Sequence, residues 1–597
     1  MCGIIGYTGS GTGDVLDVLM TGLSGLEYRG YDSAGVAVAN SSLEVYKREG
    51  EVSALENAVP DSDLDGLAGI GHTRWSTHGP PTDANAHPHT DDDGRVAVVH
   101  NGIIENYQAL RRELEADGYT FTSDTDTEVV PHLIRSALDS GADRETAFRQ
   151  AVQRLEGSYA VATVFNGSET VYAARNESPL VLGIGEDGHY LASDVPAFIE
   201  FTDRVVYLED GQFARVNPSG IVVTDDQGAI VETAVETVDW DPEDAGKSGY
   251  DHYMLKEIHE QPTAIRKCLR ERVTELEGSI DVAELADLEV EGPVQFVACG
   301  TSYHAALYGA RLLRERGVPA QSFLASEYDV DAVPLPEGSL VVGVTQSGET
   351  ADTMSALRAA NRAGATTLAL TNVVGSSAAR ECDHVMYIRA GPEIGVAATK
   401  TFVSQQVALA MLSSVVSGRG SQEFAQQLRA LPDQIQQVLD ESTAREVAAA
   451  YEDADAYFFI GRGYNAPVAL EGALKMKEIT YNHAEGFAAG ELKHGPLALV
   501  TDSTPVFALV TEGDDVSKTL GNVKEVEARD APIVAVTDIP DQVSAYADHV
   551  LEVPSSGPRF TPILANIQLQ LVAYWIANRL DRSIDKPRNL AKSVTVK

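Results

Sequence analysis

The residues most suggestive of chemistry stand at the start of the chain, MCGIIG, where a cysteine occupies position 2. A small residue there normally allows Met1 to be removed, which would leave Cys2 carrying its thiol beside a free α-amino group. An amine of pKa about 8 next to a thiol is a nucleophile with a built-in base. Read blandly, the same cysteine is a small residue starting an edge strand ahead of the apolar Gly3-Ile4-Ile5-Gly6.

Further clusters follow at 71–79 (GHTRWSTHG), 100–106 (HNGIIEN) and 123–129 (SDTDTEV). The first packs Arg74, Trp75, Thr77 and His78 into one turn, the second offers Asn101 and Gly102 after a strand, and the third puts Asp126 at a helix N-terminus. Each alone is compatible with turn and capping chemistry. Together they hold what an amide hydrolase needs. The Asn101 amide and the Gly102 N–H would form an oxyanion hole. The Arg74 fork suits an α-carboxylate and Asp126 an α-ammonium. Such a site selects free glutamine.

The second half carries a different set. CGTS (Cys299, Gly300, Thr301, Ser302) and TQSGET (Thr345, Gln346, Ser347 and, at its end, Thr350) each follow an apolar strand and precede a helix. Small hydroxylated residues with backbone N–H groups at a helix N-terminus make a phosphate cradle, although a tight strand-to-helix turn favours the same residues. No GxxxxGK[ST] loop occurs, which argues against nucleotide hydrolysis. Farther on, ALEGALKMKEITYNHAEGFAAGELKHGPLAL is dense in ionisable groups. Lys475 and Glu478 share a helix face, whereas Lys477 and Glu471 read as surface salt-bridge partners. Such a cluster offers a base that can move a proton between carbons, a second acid–base group, and an amine that can hold a carbonyl carbon. A carboxylate, a histidine and a lysine are suitable agents. The tail DKPRNLAKSVTVK adds Lys592.

The elements that must position these groups fall into blocks. Residues 2–238 read as strands with helices near 104–117 and 126–138, and the acidic stretch 239–251 reads as a linker. The remainder is duplicated: QFVACGTSYHAAL at 295 is echoed by YFFIGRGYNAPVAL at 457, TTLALTN at 366 by PIVAVTD at 532, and CDHVMYI at 382 by ADHVLEV at 547. Each copy is a series of buried apolar strands followed by helices, hence an α/β doubly wound sheet, over 252–430 and 431–588, with a tail at 589–597.

Composition narrows the class. Eighty-nine acidic against 45 basic residues give a net charge of −44, spread along the chain. A uniformly acidic surface opposes nucleic-acid binding and fits a protein kept soluble in high salt. The cysteines Cys2, Cys268, Cys299 and Cys382 have neither metal nor disulfide spacing, no apolar run approaches 18 residues, and no secretory signal opens the chain, so a cytoplasmic protein without membrane contact is expected.

MCGIIG, LEYRGYDSAG (26–35), HTRWSTHG, NAHPH (85–89) and HNGIIEN resemble the N-terminal-nucleophile glutamine amidotransferases. That resemblance implies an α+β glutaminase domain of αββα sandwich type, with Cys2 as nucleophile and Arg74, Trp75, Thr77, His78, Asn101, Gly102 and Asp126 binding glutamine. The CGTS and TQSGET loops resemble sugar isomerase (SIS) domains, which implies sugar-phosphate contacts at Cys299, Gly300, Thr301, Ser302, Thr345, Gln346, Ser347 and Thr350. It also implies contacts, mostly backbone, at Val396 and Ala397. Thr345 stands where many relatives carry Ser, and Ala398 replaces a common Ser.

The whole chain is similar to the isomerising glutamine:fructose-6-phosphate aminotransferase family. By that resemblance Glu478 is the proton-transfer base and Lys592 forms an imine with the keto sugar. His494, donated by a neighbouring subunit, opens the ring, Lys475 assists proton handling, and Trp75 gates a path for ammonia. A homodimer with no metal and no cofactor is implied. An amidotransferase feeding a phosphoribosyl acceptor would lack the duplication, and a non-enzymatic sugar-phosphate sensor would lack Cys2 or the lysine–glutamate group. A paralogue or deglycase acting on another keto-sugar phosphate stays open, because of positions 345 and 398.

Overall fold

Strand Gly3–Gly9 alternates its side chains between two apolar layers, and this ties down the end that carries Cys2. Ile4 enters a cluster between two sheets with Ile70, Ala97 and Val99, while Ile5 packs under helix Val15–Leu26 with Leu19 and Leu23. Burying each isoleucine contributes about 1.5–3 kcal/mol.

The computed structural model describes residues 2–9, 15–60, 66–238, 246–274, 279–513 and 515–594. It divides into two compact units, Met1–Gly246 with Ala591–Lys597, and Lys247–Leu590. The segment 239–245, most of the expected linker, lies outside the described residues.

The first unit stacks an eight-stranded sheet on a six-stranded one, every pairing antiparallel. Helix Val15–Leu26 covers the outer face of the first sheet; Tyr107–Ala116, Val129–Asp139 and Arg144–Val152 cover the second. This is the αββα sandwich expected of the first block. The strand that follows Cys2 pairs with Ala68–Arg74 so that Gly3 faces Thr73 and Ile4 faces His72. The strand's C-terminal end therefore delivers the Arg74–Gly79 turn beside Cys2. Asn101 and Gly102 come from the other sheet, on strand Val96–Ile104.

The second unit contains two five-stranded parallel sheets. In the first repeat the strands are Val294–Ala298, Ala320–Leu324, Leu340–Val344, Thr366–Thr371 and His384–Tyr387; in the second they are Ala456–Gly461, His483–Ala488, Val506–Leu509, Ile533–Thr537 and His549–Glu552. Both run in the spatial order second, first, third, fourth, fifth. The duplicated segments thus give duplicated topology. One apolar core spans both repeats, from Met254 to Ile584. Helix Lys400–Ser417 is buried from Lys400 through Ser414, its polar Ser404, Gln405 and Gln406 included. Helix Gly557–Arg579 is long and apolar enough to cross a bilayer, a feature not anticipated from the sequence, but its apolar window is 94% buried within the protein and it serves as a core helix.

Candidate active sites

Cys2 lines an open cleft together with Arg29, Trp75, Thr77, Asn101, Gly102, Ser178 and Pro179. Its sulfur accepts a hydrogen bond from the Trp75 N–H at 3.2 Å and faces the Trp75 carbonyl at 3.4 Å. Burial raises the thiol's pKa, with the Trp75 N–H and the Arg74 charge pulling the other way. The thiol accordingly needs a base to become a nucleophile. The Cys2 carbonyl is held by the Asn101 side-chain amide (2.9 Å) and by Arg29 Nε (3.3 Å). Arg29 is fixed in turn by Asp194 (2.8 Å), which also accepts from the Tyr28 hydroxyl (2.6 Å).

Gly102 is required by geometry. Its φ is +117°, and a Cβ would stand 2.0 Å from the Ser158 carbonyl. Arg74 is buried and donates to the carbonyls of His78, Gly79 (3.2 Å) and Pro80 (3.3 Å), so it shapes the turn on which Thr77 is exposed. His78 Nδ1 meets Thr77 Oγ1 at 3.3 Å, and the Trp75 ring stands edge-on to Tyr31. Asp126 is also buried; it accepts from the Ile104 N–H at 2.9 Å and lies within electrostatic reach of Cys2 and Arg74. Arg74, His78 and Asp126 do not line the cleft itself. Ala591, Ser593 and Val594 do, so the tail segment carrying Lys592 lines one side of the Cys2 cleft.

Behind the cleft lies a cluster of four histidines from the segments at 71–79, 85–89 and 100–106. His72, His87, His89 and His100 are all buried, with ring centroids 4.2 Å apart for His72 and His87 and 4.7 Å for His87 and His89. Thr127 Oγ1 bridges His87 and His100 at 2.9 Å each, and Thr125 Oγ1 meets His89 at 3.0 Å. Burial lowers all four histidines, His72 to about 3. They are neutral in the fold yet take up protons near pH 6.5 when unfolded. The unfolded state then binds more protons, so stability falls as pH drops below about 6.5. Each histidine costs up to about 1.4 kcal/mol per pH unit until its native pKa is reached. The first unit should lose roughly 15 °C or more of melting temperature between pH 7 and pH 5, measured by near-ultraviolet circular dichroism. An unchanged melting temperature would show that these histidines are already charged in the fold.

In the second unit the strands Val294–Ala298 and Leu340–Val344 are parallel neighbours, with Ala298 opposite Val344. Cys299–Ser302 and Thr345–Thr350 therefore leave the same sheet edge side by side, at the point where strand order reverses. That is where open α/β sheets bind ligands. Gly300–Glu315 and Ala351–Arg362 begin there, so two helix N-termini converge. Thr345 Oγ1 meets Thr350 Oγ1 at 3.0 Å and accepts the Gly348 N–H at 3.2 Å. Threonine at 345 thus keeps a hydroxyl in the loop. Gly348 has φ +68°, and a Cβ there would collide with Ser376. Ser302 Oγ accepts from Gln405 at 3.0 Å, and Glu349 N–H donates to Ser347 Oγ at 3.2 Å. Val396 and Ala397 are buried, and the Val396 N–H is bound to the Asp585 carbonyl at 3.0 Å.

Helix Asn465–Thr480 carries Glu471, Lys475 and Glu478 on one face. Glu471 is not the surface residue expected of it. Its side chain is 0% exposed, and it binds Lys475 (3.5 Å), Thr301 Oγ1 (3.0 Å) and His304 Nδ1 (2.8 Å), whereas Lys477 is exposed. Its position four residues before Lys475 and seven before Glu478 was the available signal. Lys475 pairs with Glu478 as well. Burial works to discharge the lysine, but Glu478, Glu471 and Glu393 outweigh it, and its pKa is raised. Glu393, also missed, accepts from the Thr399 and Thr401 N–H groups at 2.9 and 3.0 Å. His494 is exposed on the short turn Glu491–His494, apart from the Glu471–Lys475–Glu478 network.

With this geometry in place, the comparisons identify both halves. Residues 72–200 match the glutamine amidotransferase domain family, and residues 287–415 and 450–578 each match the SIS domain family. The chain is 52% identical over its full length, and that of its relative, to the glutamine–fructose-6-phosphate aminotransferase (isomerizing) of Halobacterium salinarum. It is 47% identical, again over both full lengths, to the protein of that name from Methanosarcina acetivorans. Among solved structures, the C-terminal domain of glucosamine-fructose-6-phosphate aminotransferase from Francisella tularensis matches 57% of this chain and 99% of its own, at 34% identity and a TM-score of 0.53. A glutaminase cleft on an αββα sandwich, followed by twin SIS sheets and matched end to end by these relatives, makes this chain a member of the isomerizing glutamine–fructose-6-phosphate aminotransferase family.

Proposed function

We propose that the protein makes glucosamine 6-phosphate and glutamate from fructose 6-phosphate and glutamine, the first step of amino-sugar biosynthesis. The Cys2 sulfur attacks the glutamine side-chain carbonyl, its proton passing to the α-amine freed by removal of Met1. Asn101 Nδ2 and the Gly102 N–H stabilise the oxyanion. Collapse expels ammonia and leaves a thioester, which water cleaves to glutamate. Trp75 and Thr77 line the amino-acid site, and Arg74, His78 and Asp126 shape the turns around it, from where they bind the amino acid's charged ends. On the sugar side the Cys299–Ser302 and Thr345–Thr350 loops cradle the phosphate, with Val396 and Ala397 contributing backbone. His494 of a second subunit opens the ring, Lys592 holds the keto carbon as an imine, and ammonia displaces it. Glu478 then carries a proton between C1 and C2 while Lys475 keeps the local charge balanced.

The observation that carries this reading is the pairing of Cys2 with Asn101 in a chain whose buried Lys475 lies between two carboxylates. We further read the protein as a cytoplasmic homodimer without nucleic-acid partners and, from its net charge of −44 and its similarity to a Halobacterium protein, as adapted to high salt.

Mass spectrometry of the products from glutamine and fructose 6-phosphate in molar salt should find a hexosamine phosphate and glutamate in equal amounts. Borohydride added to the sugar-loaded enzyme should fix the sugar on Lys592. Absence of hexosamine phosphate would overturn the acceptor, and labelling at Lys475 instead would reassign the imine.

A further inference from the structure

The buried His72 joins the two sheets of the glutaminase sandwich. It lies on strand Ala68–Arg74 of the nucleophile's sheet, opposite Ile4, and its Nε2 is 3.0 Å from the His100 carbonyl and 3.1 Å from Asn101 Oδ1, both on the other sheet. A backbone carbonyl can only accept, so Nε2 must bear the hydrogen. Burial keeps the ring neutral, so that hydrogen is its only one. Nδ1 accordingly is buried with no hydrogen-bond partner among the described residues. The tautomer is thereby fixed by chemistry.

This has a consequence for the neighbouring amide. A side-chain amide can present either its oxygen or its NH₂ in a given direction, and the two orientations fit the same space. With an N–H donor at His72 Nε2, the atom of Asn101 facing it must be the oxygen. The NH₂ is then turned toward Cys2, where it donates to the Cys2 carbonyl at 2.9 Å. The flipped amide would set NH₂ against an N–H and an oxygen against a carbonyl oxygen, two repulsive contacts in a buried site. We propose that His72 is a positioning residue for glutamine hydrolysis, whose Nε2–H locks the Asn101 amide with its donor toward the oxyanion. The inference rests on the oxyanion-hole role of Asn101 given above.

His72 sits one layer away from substrate and acts only through Asn101, so its removal should be felt where charge develops. His72→Leu should lower kcat for glutamine hydrolysis about 10²-fold, the effect of losing one oxyanion donor, with KM for glutamine changed less than about threefold. Binding of glutamate γ-semialdehyde, to which the Cys2 thiol adds to give a tetrahedral adduct, should weaken by a similar factor, while binding of glutamate stays the same. His72→Gln, which can still present an N–H, should recover part of the loss. In an Asn101→Ala background His72→Leu should cost no more than about threefold.

Several results would overturn the assignment: full multiplicative effects in the double variant, an unchanged kcat in His72→Leu, or equal weakening of glutamate and of the aldehyde. Conversion of fructose 6-phosphate to glucose 6-phosphate reports on the intact second unit in every variant. Should His72→Leu fail to fold, the aldehyde-to-glutamate affinity ratio in His72→Phe, which also lacks an N–H, decides, and a wild-type ratio there would reject the role. Unaltered hydrolysis in Asn101→Ala alone would instead reject the oxyanion reading itself.

Discussion

Cys2→Ala should abolish synthesis from glutamine, by more than about 10⁴-fold, while fructose 6-phosphate still isomerises to glucose 6-phosphate at the wild-type rate. Alanine removes the only thiol among the described residues that line the cleft, and the remaining donors, Asn101 and Gly102, can bind an oxyanion but cannot make the covalent bond. The substitution is mild for the fold. The cysteine's carbonyl, not its sulfur, is what Asn101 and Arg29 hold, and among the described residues the side chain's hydrogen bonds are to Trp75. Isomerisation should persist because Glu471, Lys475 and Glu478 belong to the other compact unit. Loss of both activities would show that the units are not chemically separable. Retained glutamine use with Met1 still in place would remove the amine from the mechanism.

How much of this was legible in the sequence differs between the halves. The duplication was readable because its strands are buried on both faces and appear as continuous apolar runs at a near-constant offset, and the observed sheets repeat strand order as well as strands. The cleft beside Cys2 was legible only in part: Trp75, Thr77, Asn101 and Gly102 line it, but Arg74, His78 and Asp126, expected with them, do not, and Asn101 and Gly102 lie within strand Val96–Ile104 and not after a strand as the sequence suggested. Glu471 was misread because its partners Thr301 and His304 lie in the other repeat, 170 and 167 residues away, and local spacing cannot announce such a contact. Its proximity to Lys477 in sequence suggested a surface pair that the helix's rotation forbids. The histidine cluster was missed for a related reason. His72, His87 and His100 come from separate segments brought together only when the two sheets stack.

The same distinction between buried and accessible carboxylates decides which one moves the proton. Glu471 and Glu478 both pair with Lys475, yet Glu471 is 0% exposed, with Thr301, His304 and Lys475 around its two oxygens, while the Glu478 side chain is 19% exposed. A base must reach the carbon-bound proton, and a carboxylate enclosed by three donors cannot. Glu478→Gln, which keeps shape and removes basicity, should lower isomerisation and the exchange of C1 and C2 protons with D₂O, followed by NMR, by about 10³-fold. Glutamine hydrolysis should be untouched. Glu471→Gln should act differently: it removes one of the charges that hold Lys475 protonated and slackens the grip on Thr301, so it should weaken sugar-phosphate binding and destabilise the unit by about 3 kcal/mol. Lys477→Ala, on the exposed side of the same helix, should change neither. If Glu478→Gln kept proton exchange and Glu471→Gln lost it, access to solvent would be the wrong guide to the base, and the buried carboxylate would have to reach substrate through a movement of the Thr301 loop.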